Sequence, residues 1–132
     1  MGSRIRRAKT AARQIRAIVI QARSTGMVLN IEDPVQAFRR VTGGQLEHVD
    51  AAEAPIGFWC NRNAEKMDVN RLATALWYCL DPKAAAQRWR DGDVLRGPVI
   101  ITGGLTPRGE SKPVPAWAVS LWHDYRNTGV KW

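Results

Sequence analysis

Acidic residues are missing from the first 23 positions of this 132-residue chain, where Arg4, Arg6, Arg7, Lys9, Arg13, Arg16 and Arg23 stand unopposed. The other 13 basic residues share positions 24 to 132 with all 12 acidic ones, so the formal net charge of +8 divides into +7 and +1. A surface that is basic all over is thereby excluded. What is expected instead is a nearly neutral domain with one local anchor for phosphates, acidic lipid heads or an acidic protein.

Long hydrophobic runs are missing too: no stretch approaches the roughly 20 apolar residues of a membrane span, so no membrane partner is expected. Cysteine is scarce. Cys60 and Cys79 lie 19 residues apart without a CxxC pair, ligand-spaced histidines or a secretory h-region, which predicts reduced, buried thiols in a cytoplasm rather than a disulfide scaffold. The opening Met-Gly-Ser-Arg-Ile-Arg has no Ser or Thr at its sixth position and is too charged for a signal peptide, so neither myristoylation nor export is expected.

Catalytic motifs are equally sparse. Neither GxxxxGK[ST] nor GxGxxG after a strand occurs, and Gly103-Gly104 with Arg108-Gly109 reads as a loop. His48 and His123 are far apart, with no paired His or Glu spacing for a metal and no Ser or Cys in a nucleophile context. No catalytic residue, metal or cofactor is assigned from the sequence.

What is present is enough for one ordinary domain: 45% hydrophobic residues in 132 supply a core without staples. In the arm, residues 1–14, Ile5, Ala8, Ala12 and Ile15 recur at helical spacing beside Arg6, Lys9, Arg13 and Arg16, the pattern of a short basic amphipathic helix. The domain proper, 15–132, opens with IRAIVIQA, a β-branched run. After Ser24-Thr25-Gly26, MVLNI completes a hairpin.

Asp33-Pro34 places a capping side chain before a proline at the first helical position, and Gly43-Gly44 stops that helix. Leu46 to Val49 and Ile56 to Cys60 read as two further strands. Asn70 caps a helix through Leu80, Asp81-Pro82 starts another reaching Arg90, and Val94 to Thr102 is a strand apolar enough to be central, with Pro98 marking an edge or bulge. A last helix from about Pro115 carries Trp117, Leu121 and Tyr125 on one stripe with Ala118 and Trp122 alongside. These three, with Val35, Phe38 and Leu76, are the expected core. The order ββαββααβα predicts an α+β fold, a mostly antiparallel sheet of about five strands with helices on one face, preceded by the basic arm.

Several residues carry a ligand reading beside a structural one. Asn70, Arg71 and Thr74 gather around a strand-to-helix connection, where they line an anion pocket or simply cap the helix. Arg96, followed by Gly97, contacts a ligand or pairs with Asp91 or Asp93 at a sheet edge. Of six tryptophans, Trp59 and Trp77 stack on a base or fill the core, Trp89 is a candidate exposed contact, and Trp132 is left unassigned.

The segments IRAIVI, PVQAFRRVTGG leading into LEHV, VNRLATAL and above all GDVLRGPVIITG resemble a phage and mobile-element family, the domain of unknown function 3846, over roughly Ile15 to Tyr125. The resemblance implies a compact α+β domain in a phage or plasmid setting, often among counter-defence or host-takeover genes, in the cytoplasm of an infected bacterial host. It implies no reaction.

Charge and resemblance together lead to the expectation of a non-enzymatic accessory protein that holds nucleic acid through Arg4, Arg6, Arg7, Lys9, Arg13 and Arg16. Two alternatives stand beside it. One is sequestration of a nucleotide immune signal by Arg71, Arg96 and a stacking Trp59 or Trp77. The other is direct inhibition of a host or defence protein. A second copy of the chain is the alternative partner for the arm's apolar stripe.

Overall fold

The structure is a computed structural model and describes residues 14–51, 54–82, 86–87 and 92–128. The arm residues Arg4, Arg6, Arg7, Lys9 and Arg13, together with Trp89, Trp132 and most of the helix expected up to Arg90, lie outside the described residues.

The predicted hairpin forms from β1 (Gln14–Ile20) and β2 (Met27–Glu32), in a register that runs from Gln14 against Glu32 to Val19 against Met27. Helix α1 (Pro34–Thr42) follows. A second hairpin pairs β3 (Leu46–Ala51) with β4 (Ile56–Asn61), then come helix α2 (Arg71–Leu80), strand β5 (Val99–Gly103) and helix α3 (Ala116–Asn127). Strand β5 inserts between the hairpins, so the sheet order is β2-β1-β5-β4-β3 with every neighbour antiparallel. This is the expected α+β class with five strands.

The helices do not share one face, which corrects the expectation drawn from the element order. Ala17, Val19 and Ile100 turn toward Phe38 of α1, while Ile18, Ile20, Phe58 and Ile101 turn toward Leu76 of α2 and Trp122 of α3. The physical reason is written in β1 and β5. Their apolar runs are unbroken rather than alternating, the mark of strands covered on both sides, and all five residues of β5 are buried.

Three local readings also change. Asp33 does precede α1, but its backbone lies at φ 44 in the left-handed region and its side chain makes no cap bond. It is the Asp33 carbonyl that accepts, from Ala37 N–H at 3.1 Å. Strand β5 begins only at Val99, because Gly97 at φ 70 turns the chain and Pro98 offers no N–H to the ladder. In α3 the buried face is Ala118 and Trp122, one position on from the expected stripe; Leu121 and Tyr125 are half-buried and Trp117 is exposed. The helix enters through Val114, whose N–H bonds the Arg16 carbonyl at 2.8 Å and fixes that rotation. Of the expected core, Phe38 and Leu76 are buried and Val35 is exposed.

His48 on β3 supplies a pH-dependent element of stability. Its ring is tilted at 55° against Trp59, 4.4 Å between centroids, and it lies so close over Gly57 that a Cβ there would collide with Nε2, a buried atom without a hydrogen-bond partner among the described residues. Burial lowers its pKa, with Asp50 pulling the other way. The folded state therefore binds this proton less readily than the unfolded chain, and the stability it supplies is present above pH 6.5 and is lost as pH falls below that value through the lower folded pKa. His48→Gln is expected to flatten the pH dependence of urea unfolding in that range. An unchanged profile would show that another group sets it.

Candidate nucleic-acid interface

Antiparallel register brings the C-terminal ends of β1 and β4 and the N-terminal ends of β2, β3 and β5 to one end of the sheet. At that end three separate segments come together, and each carries an arginine.

The first segment is the β1–β2 turn. Ser24 N–H bonds the Gln21 carbonyl at 3.1 Å, Gly26 N–H bonds Ser24 Oγ at 3.0 Å, and Trp122 Nε1 donates to the Thr25 carbonyl at 2.8 Å, tying the turn to α3. Gly26 sits at φ 83 with Ile20 and the Val19 carbonyl where a Cβ would go, so only glycine closes the turn without strain. Arg23 projects from this turn and meets Asp68 at 3.1 Å, a pair whose side chains are 83% and 61% exposed and which contributes little.

The second segment is the start of α2. Asn70 is fully buried; its Oδ1 accepts from Ala73 N–H at 3.2 Å, and its Nδ2 donates to the carbonyls of Ile20 at 2.9 Å and Gly97 at 2.8 Å. Thr74 Oγ1 donates to the Asn70 carbonyl at 2.8 Å and accepts from Leu95 N–H at 2.9 Å. Both side chains are engaged with backbone groups. Arg71, the first residue of the helix, is thereby set beside the β1–β2 turn.

The third is the last turn of α3. There the Arg126 guanidinium carbon lies 4.9 Å from the centroid of the Trp122 ring, a cation–π contact. Arg23, Arg71 and Arg126 together line a cleft of about 240 Å³ with Ala22, Ser24, Thr25, Leu72 and Tyr125, and no carboxylate stands among the described residues that line it. A neighbouring hollow shares Ala22, Arg23 and Arg71 and adds Asp68 and Val69. Tyr125 stays protonated: a hydrogen bond with Cys79, burial and the charge of Cys79 push its phenol up to about 12. The cleft thus offers cations and one aromatic ring, with Asp68 reaching Arg23 from the neighbouring hollow.

A family model matches residues 15–125, under the description "Domain of unknown function (DUF3846)". The chain belongs to the DUF3846 family. No curated protein and no solved structure matches it. The matched span contains Arg23 and Arg71 and stops at Tyr125, one residue short of Arg126.

The remaining candidates of this DUF3846 chain are dispersed. Arg96 is half-buried, forms an isolated bridge with Val69 and donates from Nη1 to the Met67 carbonyl at 3.1 Å. What approaches Gly97 is Met67, whose Sδ occupies the place of a Cβ. Arg96 and Trp77 line a separate cavity of about 290 Å³, with Arg62 but also with Glu47, Glu65 and Asp93. Trp77 is only 3% exposed, which leaves no open ring face for a base. Trp59 is on the opposite face of the sheet, tilted against Phe38 at 5.5 Å and donating to Thr102 Oγ1 at 3.3 Å. Arg16 belongs to β1 rather than to an arm helix and is exposed there.

The cysteines divide. Cys60 is buried, its thiol is pushed up to about 11 by burial and by Glu47, and it donates to the Glu47 carbonyl at 3.8 Å. Cys79, expected inside, is exposed on α2. Among the described residues no three His, Cys, Asp or Glu side chains are gathered for a metal, and no helix is long and apolar enough to cross a membrane.

Sequence reading named Arg71 but not the roles of Arg23, Tyr125 and Arg126. Arg126 gave no local signal, since the bond that ties its helix to the β1–β2 turn runs from Trp122 to Thr25, which are 97 positions apart.

Proposed function

We propose that this DUF3846 chain is a non-enzymatic nucleic-acid-binding protein that holds phosphates in the Arg23–Arg71–Arg126 cleft and along its basic arm. The observation that carries the reading is the convergence of three arginines from three segments on one cleft with no carboxylate among its described lining residues. Arginine forks suit phosphate oxygens, and the Tyr125 ring adds a surface on which a base can stack. The arm supports it in a second way. It joins the domain at Gln14, six residue steps from Ile20, so its root lies roughly 20 Å from the cleft end of β1. Its residues before Gln14 span up to about 45 Å when extended, which suits a long polyanion better than a small ligand. The phage or mobile-element setting, with action in the cytoplasm of an infected bacterium, is proposed on the resemblance alone.

The test is a salt series of mobility shifts or fluorescence anisotropy with a double-stranded DNA fragment. Arg71→Ala with Arg126→Ala is expected to lower the slope of log affinity against log salt by about 0.9 for each lost contact, equally for unrelated sequences. Replacing Arg4, Arg6, Arg7 and Lys9 by Ala is expected to act likewise while leaving the fold intact. No binding by the intact protein at low salt would sink the proposal.

A second reading rests on the meeting of Arg96 and Trp77 in one cavity, the arrangement a nucleotide sponge requires. Three carboxylates in that cavity oppose a phosphate, which is why the first reading is preferred. Calorimetry of Arg96→Ala against a candidate nucleotide decides it, and unchanged affinity removes the sponge.

A further inference from the structure

We infer that a second phosphate-contact point exists on the other side of the same sheet end, formed by Arg39 and Arg62, so that a nucleic-acid backbone crosses the end of the sheet between the two. The inference rests on the proposed function and adds a site to it.

Arg39 stands in the last turn of α1, and Arg62 directly follows β4, its N–H bonded to the Gln45 carbonyl at 2.8 Å. Both are exposed, and with Gly44, Gln45 and Leu46 they line an open hollow of about 580 Å³ in which no carboxylate stands among the described lining residues. Among the described residues neither arginine is held in an ion pair. The C-terminal carbonyls of a helix would repel an anion here. That repulsion is blunted, because Gly43 and Gly44 N–H groups both bond the Arg39 carbonyl, at 2.9 and 3.1 Å, and Asn61 Nδ2 bonds that of Thr42 at 3.0 Å. Among the described residues the two guanidinium groups are the charges that line this hollow, while Arg62 also borders the cavity that holds Glu47, Glu65 and Asp93.

Position relates it to the first cleft. Ala22 and Arg62 lie just past the ends of β1 and β4, and only β5 separates those strands. Two strand spacings amount to about 10 Å. Charges along one strand of a duplex repeat about every 3.4 Å of the helix axis, so about three phosphate-to-phosphate steps cover this distance. A single phosphate engages one site, and a chain of them engages both.

The experiment compares Arg39→Ala/Arg62→Ala with Arg71→Ala/Arg126→Ala, using inorganic phosphate and a double-stranded DNA fragment as probes. The Arg39/Arg62 pair is expected to weaken DNA binding about tenfold at low salt and to lower the salt slope by about two units, with phosphate binding at the first cleft unchanged. The Arg39→Lys/Arg62→Lys pair, which keeps the charge, should recover most of the affinity. If the Arg39/Arg62 pair binds DNA as the parent does while the Arg71/Arg126 pair fails, the second site is wrong and the proposed function stands. If neither pair changes DNA binding, both fall. A purely structural role for Arg39 at the end of its helix would lower thermal stability and leave the salt slope unmoved, which also overturns the inference.

Discussion

Asn70→Ala is expected to lose about 3–5 kcal/mol of folding stability, a large share of what a domain of this size has. The side chain is fully buried and serves three backbone groups, accepting from Ala73 N–H and donating to the carbonyls of Ile20 and Gly97. Loss of the cap costs about 1 kcal/mol, and each carbonyl left buried without a donor costs about 1–3 kcal/mol. Asn70→Asp tests which part dominates. It keeps the acceptor for the helix but turns a carboxylate toward two carbonyl oxygens, so it should be at least as damaging as Ala. Urea unfolding followed by tryptophan fluorescence measures both variants, and a loss below about 1 kcal/mol for Ala would contradict this account. Since Asn70 ties the ends of β1 and the β5 approach to the helix that begins with Arg71, the same variant should also weaken the cleft.

Trp122→Ala should cost a comparable amount, about 3–5 kcal/mol, as expected for a large aromatic side chain removed from a core. Trp122 is 4% exposed, packs among the residues between the sheet and α3, bonds the Thr25 carbonyl and lies beneath Arg126. Trp122→Phe separates packing from positioning. It preserves most of the buried volume but cannot donate to Thr25, so its stability loss should be only about 1 kcal/mol. Its DNA affinity should nevertheless fall several-fold, because the turn that carries Arg23 loses its tether and Arg126 loses part of its aromatic platform. Equal affinity for Trp122→Phe and the parent would show that the cleft does not depend on this residue. A loss under about 1.5 kcal/mol for Trp122→Ala would show that the helix packs without it.

Much of the fold was legible because local rules and the final packing agree. The β-branched runs at IRAIVI and MVLNI, separated by Ser24-Thr25-Gly26, paired as read, and Gly43-Gly44 closed α1 in the left-handed geometry that glycine permits. Asn70 was read as a cap and is one. The same residue shows where such reading ends. A cap is visible from its place before an apolar periodic stretch, whereas the bonds from Asn70 to Ile20 and Gly97 span 50 and 27 positions and leave no local trace. The α3 stripe failed for a related reason. Trp117, Leu121 and Tyr125 are as periodic as Ala118 and Trp122, and periodicity alone cannot choose between adjacent stripes on one helix. The bond from Val114 to Arg16 made the choice.

Charge draws the same boundary. The sequence by itself determined that the excess positive charge lies in the first 23 residues, that the remainder is nearly balanced and that five strands and the helices between them form an α+β domain, since each follows from composition and short-range pattern. Only the tertiary structure decided that Arg71 and Arg126 of the balanced portion would join Arg23 in one cleft, that Arg39 and Arg62 would share a separate hollow, and that the helices would cover both faces. Net charge is a sum over residues and carries no positions. Antiparallel register, which joins the ends of strands far apart in the chain, turns that balanced sum into a local basic surface.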